Sequence, residues 1–406
     1  MIASRSWTRL VTSSAFGQMQ LHGDLPVEGG QYNSHVVALD SCEPMKQILI
    51  VVASLLTAQN NSNVARTDAV PSSRQAERVA RSFQVRETAF QGRVHDLPLT
   101  PSHVHWGYFD ARLPPALRIA AGDRVRVETM IARGVQRLKD AGVKDDEIPA
   151  SLKAVEAAIT DKTAGPHPLT GPIFVEGAEP GDALEVEIIA IAFLHPFGVE
   201  AINPGGGALP DDFTVPALRL IRWPPGAAQL QFAGASISMA PFFGTIGVAP
   251  PAGAGRIGSR EPGKHGGNLD NKDLVAGSTL LLPVNVPGAL LSIGDGHAVQ
   301  ADGEVTGTAV ETSLRGTFEI RVRKRAQLKW PRAETRLGYI TMGLDPDLDK
   351  AAEIATREMV EFLVAEKKLS REDAYVLCSI AGNLHVTQVV DGTKGVHMTI
   401  AKSIFR

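Results

Sequence analysis

The chain has 406 residues with a net charge of −3 and 21% charged residues, so no broad cationic surface for nucleic acid or for an anionic membrane is expected. The 39 glycines and 26 prolines, with only 5% aromatic residues, favour many short strands joined by turns over long helices. The two cysteines, Cys42 and Cys378, exclude a disulfide framework.

A short apolar run near the N-terminus has the form of a secretory signal. Lys46 follows Met45, residues 48–56 are largely apolar, and a polar stretch continues to about residue 75. A positive start, a short apolar centre and a small-residue exit are the three parts of such a signal. We expect residues 1–75 to be a leader and linker, with a signal peptide that starts at Met45, and the mature protein to be secreted or periplasmic. The alternative is an ordinary N-terminal extension of a cytoplasmic protein.

Residues 76–335 are predicted to form a strand-rich catalytic domain. Strands that alternate apolar and polar side chains follow the turn at Gly122-Asp123 and the turn at Gly181-Asp182. This recurrence suggests sandwich- or barrel-like sheets with a possible internal repeat. The main helical insert is expected at residues 143–161, and an apolar strand at residues 279–283.

Residues 336–406 change in character and are predicted to form a C-terminal α/β annex packed on the body. An apolar stripe at helical spacing runs through residues 345–367, and Ser370 with Asp373 has the form of a helix N-cap. The annex is expected to contain, in order, a helix at residues 345–367, a helix at residues 371–380 and a strand at residues 384–390. The chain as a whole is therefore assigned to the α+β class.

One Gly-rich segment carries a His–carboxylate group. Asp295, His297, Asp302 and Glu304 follow one another within a few residues. Histidine with carboxylates suits a divalent metal such as zinc, and it equally suits a proton-transfer pair. The alternative is that the acids hold turns through backbone hydrogen bonds and that His297 packs between sheets.

A second Gly-rich turn precedes this segment. It contains His265, Gly266, Gly267, Asn268 and Asp270. The two glycines would let the backbone approach a ligand closely, and their amides could form an oxyanion site. The alternative is a solvated turn without a chemical role.

A third group of polar residues lies near the start of the body. His103 and His105 alternate along a predicted strand and would share a face, with Asp110 nearby. This is metal-like spacing, although a pair of surface histidines is equally common. The chain lacks a GxSxG elbow, a P-loop, an HExxH motif and the strand–GxGxxG–helix context of a dinucleotide site, so no cofactor beyond a metal is implied.

At these residues the chain resembles the acetamidase/formamidase family of amide hydrolases, from about residue 80 to residue 406. The resemblance implies a β-rich fold with an α/β annex, a homo-oligomer, and hydrolysis of small linear or cyclic amides to a carboxylic acid and ammonia. The matching motifs are HWGYFD at residues 105–110, LTGP at 169–172, GAEPGD at 177–182, NPGGGALP at 203–210, PFFGTIGVAP at 241–250, GGNLD at 266–270 and GDGHA at 294–298. The family's Gln-Gly-Asp-Gly-Glu motif stands here at residues 300–304 with Ala301 in place of the first glycine.

Together these observations yield the hypothesis of metal-assisted amide hydrolysis. A divalent ion, with zinc favoured, would be held by His297, Asp270 and Asp110, with Asp302 as a further carboxylate near the ion. Glu304 would move the proton from water to the leaving nitrogen. The remaining site residues are Asp302 and Asp295 with a catalytic role, Gly266 and Gly267 at the oxyanion, and Asn268, Phe243, Gly244 and His265 at the substrate.

Two further functions remain open at this point. The first is an exported binding protein for small amides that has no catalytic activity. The second is a carbohydrate-binding module, which the small number of aromatic residues, with four Trp and four Tyr, argues against.

Overall fold

The computed structural model describes residues 90–405, which lie in the compact unit Ala89–Arg406. The predicted leader, with its signal peptide at Met45, lies outside the described residues, and export stays a prediction. None of the helices in residues 90–405 combines the length and the apolar character that a membrane span needs.

Short strands make up most of the secondary structure. In chain order they are β1 (Val94–Leu97), β2 (Val104–Trp106), β3 (Tyr108–Phe109), β4 (Leu117–Ala120), β5 (Arg124–Glu128), β6 (Pro168–Glu176), β7 (Ala183–Phe193), β8 (Phe197–Ile202), β9 (Ala217–Arg222), β10 (Gln229–Phe232), β11 (Ala235–Ser238), β12 (Phe242–Gly247), β13 (Ile257–Gly258), β14 (Gly266–Asn268), β15 (Thr279–Pro283), β16 (Leu291–His297), β17 (Glu311–Thr312), β18 (Leu314–Arg323), β19 (Arg332–Glu334), β20 (Gly338–Asp345), β21 (Gly382–Gln388) and β22 (Lys394–Ala401).

The helices are few. They are α1 (Gly134–Asp140), α2 (Ala150–Ala158), α3 (Leu348–Lys367) and α4 (Arg371–Ala381), with short 3-10 turns at Pro101–His103, Ala252–Ala254 and Lys402–Ile404. This strand-rich α+β architecture confirms the predicted fold class. The helix predicted at residues 143–161 is shorter than expected, since it spans only Ala150–Ala158. The helix α1 was not predicted, because the chain enters it through Arg133 and Gly134 with positive φ angles of 61° and 77°.

The strands of residues 90–405 form two nine-stranded sheets and two small two-stranded pairs. The first large sheet has the order β1-β5-β18-β7-β15-β19-β20-β22-β21. The second follows the path β14-β12-β16-β17-β8-β9, and β6 joins it by pairing with β16, β2 and β4. The central position of β16, between β12, β17 and β6, makes it the strand on which the site is built.

A continuous apolar core joins the two sheets. Val127, Ile188 and Phe318 of the first sheet belong to the same buried cluster as Phe243 and Ile293 of the second. The alternation expected from the sequence is present in β5, where the valines are buried and the arginines between them are not. Packing on this core holds β12 and β16 rigidly in place.

The C-terminal annex continues the first sheet. Strands β20, β22 and β21 extend it beyond β19, and α3 packs across β20 and β22. Ser370 caps α4 as expected, because its Oγ accepts a hydrogen bond from the Asp373 N–H at 3.0 Å. The predicted boundary near residue 335 therefore falls between neighbouring strands of one sheet.

We expect Gly343→Ala to destabilise the fold by about 2 kcal/mol or more, since overpacking a tight contact costs about 1–3 kcal/mol. A Cβ at Gly343 would overlap the carbonyl oxygen of Ala351 and lie 2.5 Å from the Ala355 nitrogen, and both are backbone atoms of α3. Denaturant unfolding measures the effect. Gly253→Ala is the matched control because a Cβ there meets no atom within 4 Å. Equal stability of the two variants would contradict the prediction.

Candidate active site

The site is built around His297, at the end of β16, whose side chain is fully buried. Its Nε2 lies 3.4 Å from both Asp295 Oδ2 and Glu311 Oε2, and its Nδ1 lies 3.9 Å from Asp270 Oδ1. Strand pairing produces part of this arrangement, because β17 places Glu311 directly opposite His297. Both imidazole nitrogens therefore face carboxylates.

Three of the acids lie on strained backbone. Asp270, Asp295 and Glu304 have positive φ angles of 47°, 58° and 44°. Non-glycine residues rarely adopt this conformation, and such strain concentrates at functional sites. The surrounding sheet therefore holds these three side chains in positions that the local sequence does not favour.

These acids border a cavity of about 590 Å³. This volume lies within the usual range for small-molecule sites. The polar residues of its wall that lie near His297 are His167, Asn268, Asp270, Asp295, Glu304, Glu311 and Asp391. The predicted residues Asp270, Asp295, Asn268 and Glu304 are thus brought together at one hollow, and His297 lies immediately behind them.

Gly244 creates the space in which the acids converge. A Cβ at this residue of β12 would overlap Asp270 Oδ1, and it would lie 2.6 Å from Asp295 Oδ2 and 2.7 Å from His297 Cε1. Any larger side chain would displace the cluster. Gly244, predicted to contact substrate, is therefore better explained as the floor beneath the acids.

Burial makes two of the acids hard to ionise. It raises the pKa of Asp270 and of Glu304 well above their ordinary values, and nearby negative charges raise both further. Burial also raises the pKa of Asp391 to about 6. Carboxyl groups of this kind can carry a proton near neutral pH and exchange it with a ligand.

Asp295 and His297 behave in the opposite way. Burial would raise the pKa of Asp295, but His167 and His297 lower it overall. Burial would lower the pKa of His297, but Glu311 and Asp295 raise it well above its ordinary value. The cluster thus places a favoured ion pair beside carboxyl groups whose neutral form burial favours.

The donor atoms of the cluster fit a divalent metal. Asp270, His297 and Glu304 form one group whose donors lie within 4.8 Å of one another, and Asp295, His297 and Glu311 form another. Several donor atoms of the cluster are buried without a hydrogen-bond partner in the described structure. They are both nitrogens of His297, both oxygens of Asp270, Glu304 Oε2 and Glu311 Oε2. Buried polar atoms are normally paired, and His with carboxylates is a usual ligand set for zinc.

The predicted residues that do not border the cavity include Gly266, Gly267, His265 and Phe243. Gly266 and Gly267 lie on β14, and the Gly266 N–H is already donated to the Gly263 carbonyl at 3.0 Å. His265 is buried edge-on against Phe109, and burial lowers its pKa to about 4. Phe243 packs in the core against Phe318. This geometry supports neither the oxyanion role nor these substrate contacts.

Asp110 does not join the cluster. It is held by Arg112, two residues along the chain, at 2.8 Å, and that guanidinium lowers the pKa of the Asp110 carboxyl. The expected pairing of His103 with His105 is also not seen. His103 bonds the Pro98 carbonyl, whereas His105 is buried against Ser292.

Asp302 belongs to a different group outside the cavity. Its carboxylate lies 3.1 Å from Lys272 Nζ and 3.2 Å from His385 Nδ1. His385 stacks on His397 across neighbouring strands, and His397 lies 3.3 Å from Asp273. Asp302 is thus paired with Lys272 and His385, and Asp273 with His397. The expected convergence of Asp302 with His297 does not occur.

Three residues of the site were not predicted from the sequence. Glu311 comes from β17, Asp391 from the turn before β22, and Thr245 from β12, where its Oγ1 donates to Asn268 Oδ1 at 2.7 Å. The available signal was weak, because an acid in a short strand or a turn is usually solvated. Only the strand pairing and the return of the C-terminal segment bring Glu311 and Asp391 to the cavity.

The fold and the site together define a class of protein: two packed sheets that enclose a buried His–carboxylate centre open to one small-molecule cavity. The family model described as "Acetamidase/Formamidase family" matches residues 100–256 and 252–335. The chain belongs to the acetamidase/formamidase family.

Individual relatives agree with this assignment. An acetamidase structure from Bacillus halodurans is 33% identical with a TM-score of 0.64, and the match covers 77% of this chain and 98% of that one. An acetamidase structure from Yersinia enterocolitica is 31% identical with a TM-score of 0.67, and the match covers 78% of this chain and 94% of that one. The formamidase of Methylophilus methylotrophus is 28% identical over 246 residues, 48% of this chain and 58% of its own length. The chain thus spans little more than half the length of that relative.

We expect Gly244→Ala to lower the divalent metal retained per chain by at least about tenfold, because an added methyl group pushes Asp270 and Asp295 out of position. Elemental analysis of the purified protein after zinc reconstitution and desalting measures this. Gly253→Ala again serves as the control and is expected to retain wild-type metal. Wild-type protein that retains no metal would contradict the assignment of the cluster as a metal site.

Proposed function

We propose that this protein hydrolyses the C–N bond of small amides at the cavity beside His297, releasing a carboxylic acid and ammonia. The observation that carries the proposal is the buried carboxyl of Glu304, which borders the cavity with Oε2 unpartnered and with its pKa raised well above the usual range. Membership of the acetamidase/formamidase family supports it.

Glu304 is suited to proton transfer in this reaction. An amide nitrogen leaves only after it gains a proton, and a carboxyl whose pKa lies closer to neutrality donates and recovers one more readily. The charge of Asp391 raises the pKa of Glu304 further. Asp270 and Asp391 border the same cavity as Glu304, so the three form a set of acids along its wall. We assign Glu304 as the residue that accepts a proton from water and delivers it to the nitrogen.

Asn268 is suited to orient the substrate. Its Oδ1 accepts a hydrogen bond from Thr245 Oγ1, which leaves the amide NH₂ group to donate to a ligand in the cavity. Thr245 in turn lies 3.3 Å from Asp295 Oδ2. The donor is therefore positioned by the same cluster that supplies the acids, which favours a fixed substrate orientation.

We propose that Asp295, His297 and Glu311 hold the divalent metal, because this set leaves Glu304 free to move a proton. When bound, such an ion supplies Lewis-acid polarisation of the amide carbonyl. His167, 3.7 Å from Asp295 and fixed by its Nδ1 to the Ser259 carbonyl at 2.9 Å, would then orient the Asp295 carboxylate.

We expect Glu304→Gln to lower ammonia release from formamide or acetamide by at least about 100-fold, since general acid–base groups typically contribute 10²–10⁴-fold. Steady-state ammonia assays on the full chain measure this. Gln keeps the shape and the hydrogen bonding of the side chain while removing its exchangeable carboxyl proton.

Asp302→Asn is the matched control, because Asp302 lies two residues away but outside the cavity, and we expect its ammonia release to stay within about twofold of wild type. Full activity in Glu304→Gln would reject the catalytic role. Retention of amides without any ammonia release in the metal-loaded wild type would favour the non-catalytic binding protein instead.

A further inference from the structure

The cavity carries positive charge that hydrolysis of a simple neutral amide does not require. Three arginines, Arg133, Arg137 and Arg260, border the same hollow of about 590 Å³ as the acids around His297. Formamide and acetamide have only a few heavy atoms and no charge, so neither would fill this space or pair with a guanidinium.

Arg137 is the most unusual of the three. It lies on α1 with only 6% of its surface exposed, and its Nε and Nη2 are buried without hydrogen-bond partners in the described structure. A buried guanidinium is costly unless an anion or several acceptors satisfy it. Arg133, the residue before the first turn of α1, borders the same cavity, so the two side chains can act on one ligand.

The protein's own acids do not satisfy these arginines. Among residues 90–405, no carboxylate oxygen lies within 4.0 Å of the guanidinium nitrogens of Arg133, Arg137 or Arg260. The charges of Arg137 and Arg260 both lower the pKa of Arg133, which shows that the three guanidinium groups act on one another across the cavity. Lys162 differs, since it is already paired with Glu156.

Balancing the acid cluster is the simplest competing explanation. Glu311 does act on Arg133 at longer range. However, Asp295 and Glu311 already face His297, each at 3.4 Å from its Nε2, and the acid nearest to that imidazole on its other side, Asp270, lies 3.9 Å from Nδ1. The unpartnered nitrogens of Arg137 still need an acceptor.

We propose that the preferred substrate is an amide that also carries a carboxylate, a monoamide of a small dicarboxylic acid, whose carboxylate is bound by Arg137 with Arg133 and Arg260. A guanidinium presents parallel N–H groups that match a carboxylate, and charge-assisted pairs of this kind are the strong ones. This inference rests on the proposed amide hydrolysis and adds the substrate class.

The reaction balances without a further reactant. Water forms the new C–O bond at the amide carbon, the C–N bond breaks, and the water proton reaches the leaving nitrogen through Glu304. The second proton of the water passes from the new carboxyl group to ammonia, so the products are a dicarboxylate and an ammonium ion. The distal carboxylate of the substrate takes no part in bond making and serves only to position the amide.

The test compares ammonia release by the wild-type full chain from malonamate, succinamate and glutaramate with release from neutral amides of matched length. We expect kcat/KM to be at least about tenfold higher for the best anionic amide, mainly through a lower KM, because one charge-assisted contact is worth about that factor. Calorimetry with the corresponding dicarboxylate as a non-reacting ligand provides a readout that does not depend on turnover.

Variants identify the residue responsible. Arg137→Met is expected to reduce the preference for the anionic amide at least about tenfold and to weaken dicarboxylate binding by a similar factor. Arg133→Met and Arg260→Met lie at exposed residues, so they test the assignment without disturbing the buried position of Arg137. Both are expected to reduce the preference by smaller factors. Arg357→Met, an exposed arginine of α3 outside the cavity, is the matched control.

The outcomes separate the two levels of the proposal. Neutral amides hydrolysed as efficiently as anionic ones, with no dicarboxylate binding, would overturn the inference and leave amide hydrolysis in place. No ammonia from any amide would overturn the proposed function and this inference with it. A preference that survives in all three cavity variants would also overturn the assignment to these arginines.

Discussion

The structure depends on keeping several carboxyl groups buried around one imidazole. Placing charged groups in a dry interior is costly unless each charge is paired or protonated. Here His297 faces Asp295 and Glu311, while burial raises the pKa of Asp270 and of Glu304 and so favours their neutral form. The arrangement persists only because two packed sheets hold its members at fixed distances.

The same constraint explains the local features of the site. Gly244 leaves the volume in which the acids meet, and the positive φ angles of Asp270, Asp295 and Glu304 aim their side chains at one hollow. Each of these features would destabilise an isolated segment. The apolar core beneath β12 and β16 supplies the packing that offsets the strain. The geometry of the site and the stability of the fold are therefore linked through the same two strands.

Much of the fold follows from local patterns. Residues 279–283 were predicted as a strand with the bounds that the structure shows, and the capped helix after Ser370 ends within one residue of its predicted end. These predictions succeed because alternation and capping are local properties. The insert around α1 and α2 was harder, since a short helix entered through left-handed residues has no distinctive sequence signal.

The Gly-rich segments alone were enough to predict Asp270, Asp295, His297 and Glu304 as candidate site residues, because acids and a histidine among glycines rarely form core. The sequence also determined the strand-rich class and, through its motifs, the family. Which acids meet was decided only in three dimensions. Asp302 lies two residues from Glu304 but pairs with Lys272, whereas the distant Asp391 and Glu311 reach the cavity. Proximity along a chain says little about convergence, because strand pairing and left-handed turns set the direction of each side chain.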